Sequence, residues 1–110
     1  MKEVTTMTLM QWFQKQESIS TQELEKLIKE GNVKLIDVRT KQEFQNTHIK
    51  GAQNIPLSSI SQYKGNKKQI HYVICQSGIR SKKACQMLTK AGYSTINVKG
   101  GMSSWDGSKV

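Results

Sequence analysis

The sequence predicts an α/β fold in which a parallel sheet carries helices on both faces. Short apolar runs alternate with segments whose apolar residues have helical spacing, and the connections between them are short. The chain has 110 residues, which gives room for one domain with one core. No apolar run approaches the roughly 18 to 20 residues that a membrane span needs. These observations predict a single small α/β domain.

The first predicted helix begins at a capping box. Ser20 is followed three residues later by Glu23, so each side chain can bond the other's backbone N–H. Gly31 is placed to end this helix. The apolar run from Val33 to Val38 is typical of a buried strand.

The middle of the chain predicts one more short helix and several irregular pieces. Thr40 and Glu43 form a second capping box, and Phe44 is the apolar anchor of this helix. The pieces that follow are a turn over 48–52, an extended piece over 54–57, a helical turn over 58–61 and a surface loop over 63–69.

The second half predicts strands and helices in alternation. Ile70 to Cys75 is a strand, Ser81 to Ala91 a helix, and Ser94 to Val98 a strand. A turn at Gly100 and Gly101 leads into a last short helix, Met102 to Trp105. The predicted domain spans residues 18–106, with a C-terminal tail over 107–110.

Residues 1–17 have no clear period. An apolar cluster near Trp12 and Phe13 predicts a packed helix or a partly disordered extension. A docking or membrane-surface segment is the alternative.

The most informative feature is a cysteine at the end of a predicted strand. After Cys75 come a short loop with Gly78, then Arg80, and then a helical pattern from Ser81. Backbone N–H groups and the helix dipole stabilise an anion at such a place and lower the pKa of a thiol. Arg80 adds donors for an oxyanion. The pattern predicts a thiolate nucleophile, and a buried cysteine beside a surface arginine is the alternative.

Several pieces together resemble the rhodanese domain. The segments are Leu35-Ile36-Asp37-Val38-Arg39, Glu43-Phe44, His48-Ile49-x-Gly51-Ala52-x-Asn54-Ile55-Pro56, Val73-Ile74-Cys75-x-Ser77-Gly78-x-Arg80-Ser81, and Val98-x-Gly100-Gly101-Met102-x-x-Trp105. The resemblance is to single-domain rhodaneses of the thiosulfate sulfurtransferase type. It implies a three-layer α/β sandwich around a central parallel five-stranded sheet, and a cysteine that carries sulfur as a persulfide.

The resemblance also implies the site. Cys75 is the catalytic nucleophile, and the loop that closes over the substrate comprises Gln76, Ser77, Gly78, Ile79, Arg80 and Ser81. We expect Ser81 to cap the following helix and Arg80 either to hold the charged end of thiosulfate or to brace the loop. No metal and no cofactor are expected. Related phosphatases have five residues between cysteine and arginine, whereas Cys75 and Arg80 have four between them, and the shorter loop favours sulfur over phosphate.

The remaining candidates are expected to have structural roles. Asp37 and Arg39 are assigned to the strand end, together with Glu43 and the turn at His48. We expect His71 to be exposed and Cys85 to be a small buried apolar residue. Met102 and Trp105 are expected in the core.

Composition bounds the partners and the compartment. The net charge is +9, but the lysines are scattered and arginine occurs only twice, so no nucleic-acid partner is expected. Two cysteines without zinc spacing are typical of a reducing cytoplasm. We expect a monomer that uses thiosulfate or another sulfane-sulfur donor, and cyanide or a thiol as acceptor. A carrier that exchanges sulfur with protein donors and acceptors, and a silent binding domain, remain alternatives.

Overall fold

The computed structural model describes residues 17–110, which form one sheet covered by helices. All five strands are parallel, and their spatial order is β1-β5-β4-β2-β3. The strands are β1 (Ser18–Ile19), β2 (Lys34–Asp37), β3 (Gln53–Asn54), β4 (Ile70–Ile74) and β5 (Ser94–Val98). The predicted α/β sandwich with a five-stranded parallel sheet is confirmed. The predicted extension over residues 1–17 lies outside the described residues, except for Glu17.

In residues 17–110, three α-helices and one 3₁₀ helix connect the strands, and a fourth α-helix follows the last strand. They are α1 (Thr21–Glu30), α2 (Lys41–Asn46), the 3₁₀ helix (Leu57–Gln62), α3 (Ile79–Lys90) and α4 (Gly101–Ser104). Both predicted capping boxes are present, at Ser20 and Thr40, and in each the glutamate three residues on returns the hydrogen bond.

Helix α3 begins two residues earlier than the sequence predicts. Its N-cap is Gly78, which has a left-handed φ of 107°, so the chain turns into the helix where only glycine is unstrained. Ser81 is therefore inside the first turn and does not cap the helix. Its hydroxyl is free to face the core and bond Asn97.

Each face of the sheet has its own apolar core. On one face Ile36, Val73 and Cys75 pack with residues of α3, and on the other Leu35, Ile74 and Val98 pack with α1 and α4. Because side chains alternate along a strand, Cys75 points to the α3 face of the sheet. The expected core positions of Met102 and Trp105 are confirmed, since both are buried.

The C-terminal residue is tied to the domain. The backbone groups of His48 and Val110 exchange two hydrogen bonds, of 2.9 and 2.8 Å. Among residues 17–110, no helix is long and apolar enough to cross a membrane.

Candidate active site

Cys75 follows directly after β4, at the carboxyl end of the sheet. Ligands of open parallel sheets bind beyond this end of the strands. Its side chain is 1% exposed and lies beneath the loop that leads to α3. Because side chains alternate between the two faces along β4, the sulfur of Cys75 points toward the beginning of that helix.

Several donors and polar groups surround the sulfur. The backbone N–H of Gly78 donates a hydrogen bond to Sγ of Cys75 over 3.0 Å. The hydroxyl of Ser81 lies 3.4 Å from the same sulfur. The left-handed conformation of Gly78 is what turns its N–H back toward the cysteine.

These contacts make the thiol more acidic. Burial by itself raises the pKa of Cys75, whereas the contacts of its sulfur with the side chain and the backbone N–H of Ser81 lower it. The N–H groups of Gly78 and Ser77 act in the same direction. The net result is a pKa below the ordinary value of a cysteine, which is the property a thiolate nucleophile needs.

Helix α4 binds the backbone of the loop that follows Cys75. The N–H of Met102 donates to the carbonyl of Cys75 over 2.8 Å, and that of Ser103 donates to the carbonyl of Gln76 over 2.9 Å. A Cβ at Gly101 would lie 2.3 Å from the Cys75 carbonyl oxygen, so only glycine permits this approach. Because these two carbonyl groups point toward α4, the N–H groups of the loop can face the sulfur.

Arg80 is bound to an acidic residue of α2. Its Nη1 and Nη2 donate to Oε1 and Oε2 of Glu43 over 2.8 and 3.0 Å. The pKa of Glu43 is lowered to about 2, chiefly by this contact. These contacts tie the loop to α2 and leave both expected roles of Arg80, bracing the loop and holding the donor, as predictions. Glu43, which was expected beside Asp37 and Arg39, is instead paired with Arg80.

Asp37 and Arg39 form a second, buried ion pair. Nη2 of Arg39 donates to Oδ2 of Asp37 over 2.8 Å and to the carbonyl of Thr47 over 2.7 Å. Both residues are buried, so the pair fixes the end of β2 to the turn before β3. This is the expected structural role.

Both histidines are bonded to groups other than the sulfur of Cys75. Nδ1 of His48 is 2.7 Å from the carbonyl of Phe44, and the two rings stack. The expectation that His71 is exposed is wrong: it is fully buried within β4, and its Nε2 lies 2.9 Å from the Tyr63 hydroxyl. Neither residue contacts Cys75.

Cys85 is buried, as expected. It is 0% exposed in the middle of α3, and burial raises the pKa of its thiol to about 11. It therefore lacks the thiolate character of Cys75.

The surface around the loop combines apolar and basic groups. Ile79 is 77% exposed, so its side chain points to solvent and not to the sulfur of Cys75. A cleft of about 330 Å³ adjoins Arg80, and its other lining residues are Val38, Thr40, Pro56, Leu57 and Ser58. Of the expected loop residues, Gln76 and Ser77 are also exposed.

Two site residues had only weak signals in the sequence. Asn97 is buried at the end of β5 and accepts a hydrogen bond from Ser81. Its signal is a polar residue between the two apolar residues of the strand, Ile96 and Val98. Gly101 had the signal of a turn, but its close approach to Cys75 depends on tertiary packing.

The chain is similar to proteins of one family. A model of the rhodanese-like domain matches residues 20–108. The uncharacterized protein YqhL of Bacillus subtilis (strain 168) is 46% identical over 76 residues, which cover 66% of this chain and 60% of YqhL.

Two solved structures show the same fold. A rhodanese-like domain protein from Staphylococcus aureus is 38% identical with a TM-score of 0.77, and the match covers 81% of this chain and 90% of that one. The human single-domain sulfurtransferase TSTD1 is 27% identical with a TM-score of 0.77, covering 86% and 100%. Since the family match extends over most of the described residues, the chain belongs to the rhodanese family.

Proposed function

We propose that this protein is a sulfurtransferase in which Cys75 carries a sulfane sulfur as a persulfide. The observation that supports the proposal most is the Gly78 N–H at 3.0 Å from Sγ, in a loop that lowers the pKa of the thiol. Membership of the rhodanese family and similarity to a named sulfurtransferase agree with it.

The reaction has two displacement steps. The Cys75 thiolate attacks the outer sulfur of thiosulfate, so that an Sγ–S bond forms while the S–S bond to sulfite breaks and sulfite leaves with the electron pair. Cyanide or a thiolate then attacks the outer sulfur of the persulfide. The Sγ–S bond breaks, and Cys75 is released as a thiolate.

The loop is suited to an anionic sulfur atom. In the persulfide the negative charge resides on the outer sulfur, which needs donors at short range. The N–H groups between Cys75 and Ser81 and the positive end of α3 supply them. The four residues between Cys75 and Arg80 make a small cradle, which favours sulfur over a tetrahedral phosphate.

The test is mass spectrometry of the intact protein after incubation with thiosulfate. We expect one added sulfur on wild type and on Cys85→Ala, and none on Cys75→Ser, because a hydroxyl cannot carry sulfane sulfur. Aryl phosphates should not be hydrolysed. A persulfide on Cys85, turnover by Cys75→Ser, or a phosphatase rate that matches sulfur transfer would contradict the proposal.

A second candidate is a carrier that receives sulfur from one protein and gives it to another. The exposed Ile79 favours this function, because Lys82 and Lys83 follow it at helical spacing and form a basic and apolar surface beside the buried thiol. A carrier should accept sulfur from a cysteine desulfurase charged with cysteine while turning over thiosulfate slowly. The sulfurtransferase should show the reverse preference.

A further inference from the structure

A line of three buried polar groups runs from the sulfur of Cys75 into the sheet. Sγ of Cys75 is 3.4 Å from Oγ of Ser81, and this Oγ is 2.5 Å from Oδ1 of Asn97. The three residues are 1%, 0% and 6% exposed. Val98 packs on the opposite face of the sheet, so Asn97 points to the α3 face, where Ser81 and Cys75 also lie.

The directions of these two hydrogen bonds are those expected when Cys75 is a neutral thiol. The 2.5 Å separation is that of an O–H···O bond, in which Ser81 donates to the Asn97 carbonyl oxygen. A serine hydroxyl has one proton, so this bond uses it. Oγ of Ser81 is left as an acceptor, and the Cys75 S–H donates to it.

A thiolate reverses the requirement. When Cys75 loses its proton to a base in solution, the sulfur becomes an acceptor only. Ser81 can then stabilise it by turning its own proton toward Sγ. That movement alone would leave two oxygen acceptors 2.5 Å apart in a buried site with no proton between them, which is costly.

We propose that Asn97 is a positioning residue for Cys75, whose amide turns over so that Ser81 can change from accepting the thiol proton to donating to the thiolate. After the turn, Nδ2 of Asn97 donates to Oγ of Ser81, and Ser81 donates to Sγ. Asparagine can do this because its side chain carries both a donor and an acceptor. The inference rests on Cys75 being the nucleophile of the proposed function.

Within residues 17–110, turning the amide breaks one hydrogen bond. The bond to Ser81 is the one side-chain hydrogen bond that Asn97 makes in this part of the chain. The backbone stays in place, because its N–H is bonded to the Glu17 carbonyl across the sheet.

Other charges near Cys75 stay constant in the test. The elements around it contribute Arg80 and Cys85 from α3, Glu43 from α2, and the Asp37–Arg39 pair at the end of β2. None of these is substituted in the variants below, so differences in the titration of Cys75 report on Ser81 and Asn97.

The experiment measures the rate of iodoacetamide alkylation of Cys75 as a function of pH. Asn97→Asp introduces a carboxylate that only accepts hydrogen bonds, so it keeps the proton of Ser81 away from the sulfur. The midpoint of the alkylation rate against pH should rise by about one pH unit, which is a tenfold change in the acidity constant of the thiol. Asn97→Leu removes the hydrogen bond between Asn97 and Ser81 both when Cys75 is a thiol and when it is a thiolate. It should move the midpoint by less than about half a unit.

The Ser81→Ala background separates the relay from simple charge repulsion. There the shift caused by Asn97→Asp should fall to less than half, because the carboxylate no longer has a serine proton to hold. An equal shift in both backgrounds would overturn the inference, as would an Asn97→Leu shift as large as that of Asn97→Asp.

Nuclear magnetic resonance gives a second test that needs no change at Asn97. The side-chain amide signals of Asn97 should move as the wild-type thiol titrates and stay constant in Cys75→Ser, and equal behaviour would contradict the inference. Alkylation requires no sulfur transfer. Failure of the proposed function appears instead as the absence of a persulfide on Cys75.

Discussion

Cys75 and Cys85 share one face of the sheet, yet their surroundings give them opposite acidities. N–H groups of the loop and the first turn of α3 face Cys75, and its pKa falls. Cys85 lies in the middle of α3, where burial raises its pKa to about 11 and the backbone N–H groups that could oppose this are bonded within the helix. We therefore expect Cys75, beside the N-terminus of α3, to be the reactive thiol and Cys85 to be inert.

His71 is a second residue whose surroundings decide its charge. Its Nδ1 bonds the Gln69 carbonyl over 2.8 Å, and its Nε2 lies 2.9 Å from the Tyr63 hydroxyl. Burial lowers the pKa of His71, and the charge of Lys34 lowers it further, against the opposing effect of the Gln69 bond. The unfolded chain therefore binds this proton more readily than the folded one.

We predict a loss of stability in mild acid that depends on His71. Stability should be complete above the unfolded pKa of about 6.5 and fall as the pH is lowered below it, by at most about 1.4 kcal/mol per pH unit. Urea unfolding of wild type and His71→Gln from about pH 7.5 to about pH 5 measures this, above the range in which Glu43 titrates. The same pH dependence in both proteins would contradict the prediction.

At the scale of elements, the active-site loop is held from two sides. Helix α4 binds its carbonyl groups, and α2 binds its arginine through Glu43. The tie to α2 leaves the guanidinium partly exposed, since 34% of the Arg80 side chain is accessible. An anionic donor that binds Arg80 would therefore share it with Glu43.

This sharing predicts opposite effects of two substitutions on the KM for thiosulfate. Arg80→Ala should raise the KM roughly ten- to a hundredfold through loss of a charge-assisted contact. Glu43→Gln should lower it by up to about fivefold, because an exposed ion pair is worth at most about 1 kcal/mol. Steady-state kinetics give both values.

The matched control is Glu25→Gln. It makes the same change of charge and breaks another exposed ion pair, with Lys29, on the opposite face of the sheet. The KM of this control should stay at the wild-type value. A raised KM in Glu43→Gln would show that Arg80 acts by bracing the loop and not by binding the donor.

At the scale of the whole molecule, the net charge of +9 acts on every approaching partner. Such a field raises the encounter rate with anions and is screened by salt. Next to the thiol it is joined by Ile79, an exposed apolar side chain. The combination fits an acidic protein segment that presents a cysteine.

We predict that the persulfidated protein prefers acidic acceptors. With cysteine peptides as acceptors, flanking glutamates should accelerate sulfur transfer relative to flanking lysines, and added salt should reduce the difference. Lys82→Glu/Lys83→Glu should slow transfer to the acidic peptide about tenfold. Lys26→Glu/Lys29→Glu makes the same charge change on α1 and is the control. Equal losses in the two double variants would show that only the net charge matters.

The sequence by itself determined the class of fold and most elements, and it predicts Cys75 as the nucleophile. These features depend on neighbours in the chain: the capping boxes at Ser20 and Thr40, the apolar run of β4, and the glycine after Cys75. Strand β1 has only two residues and no pattern of its own, so only its pairing with β5 makes it a strand.

The tertiary structure decided how the polar residues are partnered. Glu43 and Arg80 are 37 residues apart, and Ser81 and Asn97 are 16 apart. No local pattern specifies such pairs, because they form only when the parallel sheet brings the ends of its strands together. For the same reason the sequence could not show that His71 is buried or that Gly101 lies against Cys75. Burial and long-range contacts are properties of packing, and the chemistry of Cys75 depends on both.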